Sequence, residues 1–142
     1  MPLISFVVPC FNYGRYLESC LDSILRQEGA WDLEVLVIND ASTDDSALVL
    51  GRCADPRIRI ITHATNEGHV RTITEGFHAA RGQFVSRIDA DDRLRPGYLR
   101  RVMPIFEQYP EVGLVYGDAA LIDHAGHVTA ETTDVQHHGT DF

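Results

Sequence analysis

At 142 residues, 44% hydrophobic and 23% charged, the chain has the length for one domain with a real core and the composition of a soluble globular protein. Twelve basic against 21 acidic side chains leave a formal charge of -9, which excludes nucleic acid as an expected partner because such a surface repels phosphate backbones. The same charge would repel a free nucleoside diphosphate unless a cation intervened. Cys10, Cys20 and Cys53 make an odd count without a C-x-x-C pair, so neither a disulfide framework nor a thiolate zinc site is expected, and a reducing cytoplasm is. No apolar run approaches the ~20 residues that cross a bilayer, and the N-terminus shows no export signal.

The first element in the chain is a strand over Leu3–Val8, apolar on both faces as a central parallel strand should be, with Pro9 as its stop. A loop over 10–14 leads to a helix whose Leu17, Cys20, Leu21, Ile24 and Leu25 form one apolar stripe. Leu33–Ile38 is a second doubly apolar strand. Ser42 or Thr43 caps a second helix over about 44–53, with Asp44 and Asp45 in its first turn. A third strand follows over about 57–62, then a helix from the Asn66-Glu67-Gly68 turn to about Ala80, stopped by Gly82. A fourth strand, 83–88, ends in Asp89-Ala90-Asp91-Asp92. Pro96 opens a helix with Leu99, Val102, Met103 and Phe106 on its buried stripe, and Pro104 inside it should kink or split it. Val112–Tyr116 reads as a fifth strand, His124–His127 as the turn of a short hairpin, and the remainder as a polar tail. Alternating strands and helices with right-handed crossovers predict one α/β domain over 1–142, an open, mostly parallel sheet with helices on both faces.

In such a sheet, ligands bind beyond the carboxyl ends of the strands, near the switch in strand order. Three polar clusters lie at strand ends here: 9–13, 39–45 and 89–92. Within the last, Asp89 and Asp91 have the spacing for a divalent cation, magnesium or manganese, which relieves carboxylate repulsion and bridges an acidic protein to phosphate. A solvated acidic turn is the competing account. Asp40 is either an acceptor for a base or ribose donor group or a turn residue; Phe11 either stacks on a base or packs. Cys10 reads as a small buried filler, and Gly76 as a close helix–sheet approach. His137-His138 could bind a metal adventitiously, though an exposed tail accounts for it. No G-x-G-x-x-G, P-loop or G-x-S-x-G element occurs, which argues against a dinucleotide dehydrogenase, a P-loop enzyme and an elbow hydrolase.

Four stretches in register, 7–12, 37–44, 66–68 and 88–92 with Pro96, resemble the family-2 glycosyltransferases of GT-A fold across roughly the first 117 residues. The resemblance implies that Pro9 and Phe11 contact the nucleobase, that Asp40 hydrogen-bonds it, that Asp89 lies near the ribose, and that Asp91 coordinates the metal. Arg71 falls near a position from which some members direct a basic group at the nucleotide. It further implies an inverting transfer from a nucleoside-diphosphate sugar, UDP-linked, to a saccharide, lipid or polysaccharide acceptor, in the cytoplasm or at the cytoplasmic face of the membrane. Asn39 stands where an aspartate is frequent, and Thr72 and Thr74 where alanine and asparagine are common. The acceptor-side carboxylate base and the Q-x-x-R-W element of the family have no match. Asp118 and Asp123 are acceptor-side candidates without an assignment as base, and the chain reads as the N-terminal part of a longer enzyme. A nucleotide-sugar-binding module without turnover is the alternative.

Overall fold

The computed structural model describes residues 1–131. Its contacts divide the chain into two compact units, Met1–Arg101 and Val102–Phe142, of which the second is described as far as residue 131. His137 and His138 lie outside the described residues.

The first unit is built on four parallel strands, β1 (Leu3–Cys10), β2 (Asp32–Asn39), β3 (Ile58–Thr62) and β4 (Phe84–Arg87), in the order β3-β2-β1-β4. Helices α1 (Gly14–Leu25), α2 (Ser46–Gly51) and α3 (His69–Ala79) supply the crossovers, and α4 (Tyr98–Gln108) follows β4. Every residue of β1 from Ile4 to Cys10 is buried, and so is β2 from Leu33 to Asn39, which requires cover on both faces. On one face Val7, Leu36 and Ile38 form a core cluster that Ala79 of α3 packs against. Gly76 lets α3 come that close: a Cβ there would sit 2.2 Å from Val7 Cγ1 and 2.7 Å from Ile38 Cδ1, as its reading in the sequence anticipates. Along α1, Leu17, Cys20, Leu21 and Ile24 are buried.

Pro9 does not end β1; the strand runs on to Cys10. Along a parallel strand, alternate residues turn their polar groups to opposite neighbours. Leu3 and Val7 accept from Gln83 and Ile88 on the β4 side, whereas Pro2 and Cys10 accept from Asp32 and Asp40 on the β2 side. Pro9 is in step with Leu3 and Val7, so its missing N–H faces β4. The β1–β4 pairing has already stopped at Val7 and Arg87, and no rung is lost.

Other elements differ from expectation as well. Helix α2 starts at Ser46 because residues 42–46 are held as a loop: the Asp44 carboxylate accepts from Ser46 N (2.9 Å) and from Gly14 N (2.9 Å) at the start of α1. Asp44 thus satisfies an orphan donor of a neighbouring helix as well as of its own. Helix α3 is stopped by Ala80, which turns extended, while Gly82 packs on Ser5, where a Cβ would lie 2.6 Å from the backbone nitrogen. Pro96 and Gly97 occupy a turn closed by Tyr98 N to Arg95 O (3.2 Å), with Gly97 at φ 75°, so α4 opens two residues late. It then passes Pro104 unsplit, with Leu99 and Met103 buried. The expected strand at Val112–Tyr116 does not form. A strand needs a partner for its N–H groups, none pairs with this segment among the described residues, and Leu114 and Tyr116 are exposed.

In the second unit, β5 (Ala120–Ile122) and β6 (Val128–Glu131) form an antiparallel hairpin whose turn contains His124. Asp123 holds that turn, its Oδ1 accepting from Ala125 N and His127 N at 2.9 Å each.

Candidate functional site

β2 and β3 lie to one side of β1 and β4 to the other, so the strand order switches between β1 and β4. The crevice expected there has two walls, the loop after β1 and the Asp89-Asp92 segment after β4. The two walls face each other electrostatically. The Tyr13 hydroxyl is pushed above its usual range by the negative charge of Asp91 first, then by burial and by Asp89. The Cys20 thiol, on α1 beneath the same rim, is pushed up to about 12 by burial and then by Asp92, Cys10, Asp91 and Asp89. The acidic cluster is therefore gathered at one corner of the sheet rather than dispersed over it.

Within the cluster each carboxylate has a different setting. Ala90 is buried and anchors the turn, and Asp92 N donates to Asp89 O (2.9 Å). Asp89 receives Arg87 Nη2 on one oxygen (2.7 Å). Its other oxygen, Oδ1, is buried without a hydrogen-bond partner. A buried acceptor left bare costs about 1–3 kcal/mol, which a ligand or cation in the crevice would remove. Asp91 is exposed. Asp92 is driven above the usual carboxylate range by burial and by the charges of Asp91 and Asp89. An orphaned carboxylate oxygen beside two further carboxylates whose negative charges repel one another fits a hard divalent cation. The aspartates do not form a closed cage: among the described residues, the carboxylate-containing group with ligand atoms within 4.8 Å of one another lies elsewhere, at His63, Glu67 and Glu75. An open set of one or two carboxylates suits an ion that takes its remaining ligands from substrate phosphate and water.

The wall from β1 is a rigid one. Asn12, at φ 60°, accepts from Thr43 N (2.7 Å) and Asp44 N (3.3 Å) through Oδ1, and its own N–H donates to Ser42 Oγ (3.0 Å). Asn39 Oδ1 accepts from Ser42 N at 3.1 Å. The loops after β1 and β2 are thereby tied into one surface. Phe11 and Tyr13 stand partly exposed on it, at 42% and 39% of their full surface, and can offer ring faces to a planar ligand. Pro9, expected on the loop, is instead buried inside β1.

Asp40 is 3% exposed, and both its oxygens are taken by the chain itself. Oδ1 accepts from Glu67 N (2.8 Å) and lies 2.7 Å from His63 Nδ1, while Oδ2 accepts from Gly68 N (2.9 Å). Burial by itself would raise its pKa, but the Glu67 N–H, His63 and the Gly68 N–H together hold it below the usual range. Its role in this arrangement is to hold the 66–68 turn against the end of β2. Arg71, on α3, pairs with Glu67 and is largely exposed beside the β3 edge. Tyr13 belongs to the 9–13 strand-end cluster of the sequence, whereas His63 has no place in the three clusters. His63 directly follows β3, so the strand-end rule extended to that strand marks it as well.

Residues 5–127 match the profile described as glycosyl transferase family 2. The chain belongs to that family. Among its curated relatives, the O-antigen biosynthesis protein RfbC of Myxococcus xanthus is 38% identical over 133 residues, covering 91% of this chain and 10% of RfbC. Solved structures of the same fold include S. aureus TarS 1-349 in complex with UDP, at TM-score 0.69 and 19% identity over 87% of this chain and 43% of that one. Another is the mannosyltransferase PcManGT of Pyrobaculum calidifontis in complex with GDP-Man and Mn2+, at TM-score 0.66 and 24% identity over 86% and 36%. These likenesses confirm the α/β GT-A architecture that the family-2 motifs imply. The chain spans 10% to 40% of the length of the curated relatives it matches, and no described helix is long and apolar enough to cross a membrane.

Proposed function

We propose that this family-2 chain binds a nucleoside-diphosphate sugar, UDP-linked, in the β1/β4 crevice, for an inverting, metal-assisted transfer to an acceptor hydroxyl. The observation that carries the proposal is the buried, unpartnered Asp89 Oδ1 next to exposed Asp91, both near enough to Tyr13 for their charges to raise its hydroxyl's pKa. Asp91 would hold a manganese or magnesium ion and Asp89 would face the ribose side. When bound, such an ion would neutralise the leaving diphosphate. The solved structures of the same fold in complex with UDP and with GDP-Man and Mn2+ support this reading.

The chain's own residues do the positioning. Phe11 and Tyr13 offer the base a stacking wall. Asn12 keeps that wall in one conformation, so little ordering is left to be done on binding. Asp40 acts from behind by fixing the 66–68 turn, and Arg71 at the β3 edge would meet the nucleotide only on leaving Glu67. Asp123 is committed to its hairpin turn, which leaves Asp118 as the acceptor-side carboxylate and the general base for the acceptor hydroxyl without an assignment. The acceptor class, saccharide, lipid or polysaccharide, and a cytoplasmic setting complete the proposal.

Calorimetric titration with UDP and with GDP, with and without Mn2+, tests it on the native chain and on Asp91→Ala. UDP binding that requires Mn2+ and disappears in Asp91→Ala is the expected outcome. Metal-independent binding, or binding unchanged in Asp91→Ala, would sink it. Transfer and donor hydrolysis measured alongside would separate an enzyme from a module that binds the donor without turnover.

A further inference from the structure

We propose that His63, Glu67 and Glu75 form a second divalent-cation site, of the borderline class typified by zinc, at the β3 edge of the sheet. β3 and β4 are the two outer strands of the order β3-β2-β1-β4, so this cluster is not part of the Asp89-Asp91 corner.

The centre of the site is an imidazole with its orientation fixed. His63 directly follows β3, its side chain is 7% exposed, and its Nδ1 lies 2.7 Å from Asp40 Oδ1. Asp40 is itself immobilised by two backbone N–H groups, from Glu67 and Gly68. A carboxylate on one ring nitrogen leaves the other nitrogen as the lone-pair donor and raises its basicity, the usual support for a metal-bound histidine. That other nitrogen, Nε2, points away from Asp40 and lies 2.8 Å from Glu75 Oε2. A neutral imidazole lone pair facing a carboxylate oxygen is repulsive, so a positive species must lie between them or on one of them.

Glu67 completes the set. One ligand atom from each of His63, Glu67 and Glu75 falls within 4.8 Å of the others, a separation a single ion can close. Beside them is an open cavity of about 560 Å³ lined by the three ligands with Arg71, Thr74 and His78, which leaves room for water to fill the remaining coordination positions. Against the negative charges of Asp40, Glu67 and Glu75, the cavity wall offers the guanidinium of Arg71, paired with Glu67 from a side chain 72% exposed. An exposed pair of that kind adds little stability and can be given up. One imidazole with two carboxylates is a mixed nitrogen–oxygen set. It favours zinc over manganese by the usual order of affinities, and over magnesium, which prefers oxygen throughout. An ion there would tie the end of β3 to α3 and brace the 66–68 turn from its outer side.

The test uses the full chain carrying Asp91→Asn, His137→Ala and His138→Ala, which removes the β4 site and the consecutive histidine pair of the sequence. Zn2+ is titrated by calorimetry and its effect on thermal unfolding recorded, then both are repeated with Glu75→Gln and with Glu67→Gln added. The expected result is one equivalent bound and a Tm raised by roughly 5 °C at saturation. Each glutamine variant should weaken binding at least about tenfold, while its metal-free Tm shows it still folded. Co2+ should give a d–d absorption band that Glu75→Gln abolishes. Absence of zinc binding in the parent triple variant overturns the proposal and assigns the gap between His63 and Glu75 to a proton. Binding indifferent to both glutamine substitutions overturns it equally.

Discussion

Replacing Asp40 by alanine separates two roles that the position could have. If Asp40 holds the 66–68 turn, its removal strips a buried acceptor from the part-buried N–H groups of Glu67 and Gly68 and from His63. Hydrogen bonds to a charged group are worth about 1.5–3 kcal/mol each. The three share one acceptor, so their losses do not add, and breaking a buried charged contact costs about 3–5 kcal/mol as a whole. Asp40→Ala is therefore expected to lose about 3–5 kcal/mol of unfolding free energy in urea. Asp40→Asn should lose about 2 kcal/mol, because its Oδ1 still accepts while its amide N–H₂ confronts one of the same donors. Against a typical total of about 5–15 kcal/mol, both variants remain measurable. Equilibrium urea unfolding gives the free energies, and UDP titration on the same samples gives the affinity. The reasoning is refuted if Asp40→Ala unfolds within about 0.5 kcal/mol of the native chain yet no longer binds UDP; the carboxylate would then be a base contact.

At Gly76, alanine drives a methyl group into Val7 and Ile38, both fully buried and unable to withdraw. Overpacking of about 1–3 kcal/mol outweighs the ~0.8–1 kcal/mol gained in helix propensity, so Gly76→Ala should lower Tm in a thermal scan; an increase would contradict the packing described. Glu34 is held below its ordinary value of 4.5: burial opposes this, but Ser5, the Arg81 N–H and Arg59 outweigh it. A depressed carboxylate stabilises the fold fully above its unfolded pKa and loses that contribution as pH falls through the folded one. Glu34→Gln should thus cost stability at neutral pH and flatten the decline of urea-derived stability below about pH 4.5, and a decline as steep as that of the native chain would refute the assignment.

The elements that sequence exposes best are those whose burial is complete. β1 and β2 are buried on both faces, so their continuous apolar runs have one structural meaning, and the paired Asp89 and Asp91 after β4 inherit their place from that framework. Gly76 was legible because a glycine inside a helical stripe has few reasons to be there. What failed was decided by contacts remote in the chain. Helix α2 starts at Ser46 because Asn12, some thirty residues earlier, takes the N–H groups that a local cap would have used. Val112–Tyr116 has a strand's composition, but composition supplies no partner. Asp40 reads in the sequence as either an acceptor or a turn residue, since nothing nearby in sequence reveals that Glu67, Gly68 and His63 converge on it. His63 carries no local pattern at all, because its two neighbours, Asp40 and Glu75, come from β2's end and from α3.

Pro9 bears on how the crevice stays open. With an ordinary residue there, a free amide hydrogen would point toward the tip of β4, and the two strand ends could zip together by another rung. The imino ring removes that option, so covalent chemistry rules out one further rung beyond Val7 and Arg87. A donor would then meet a cleft ready before its arrival, and a replacement such as Pro9→Val would be felt as a mouth that tends to shut.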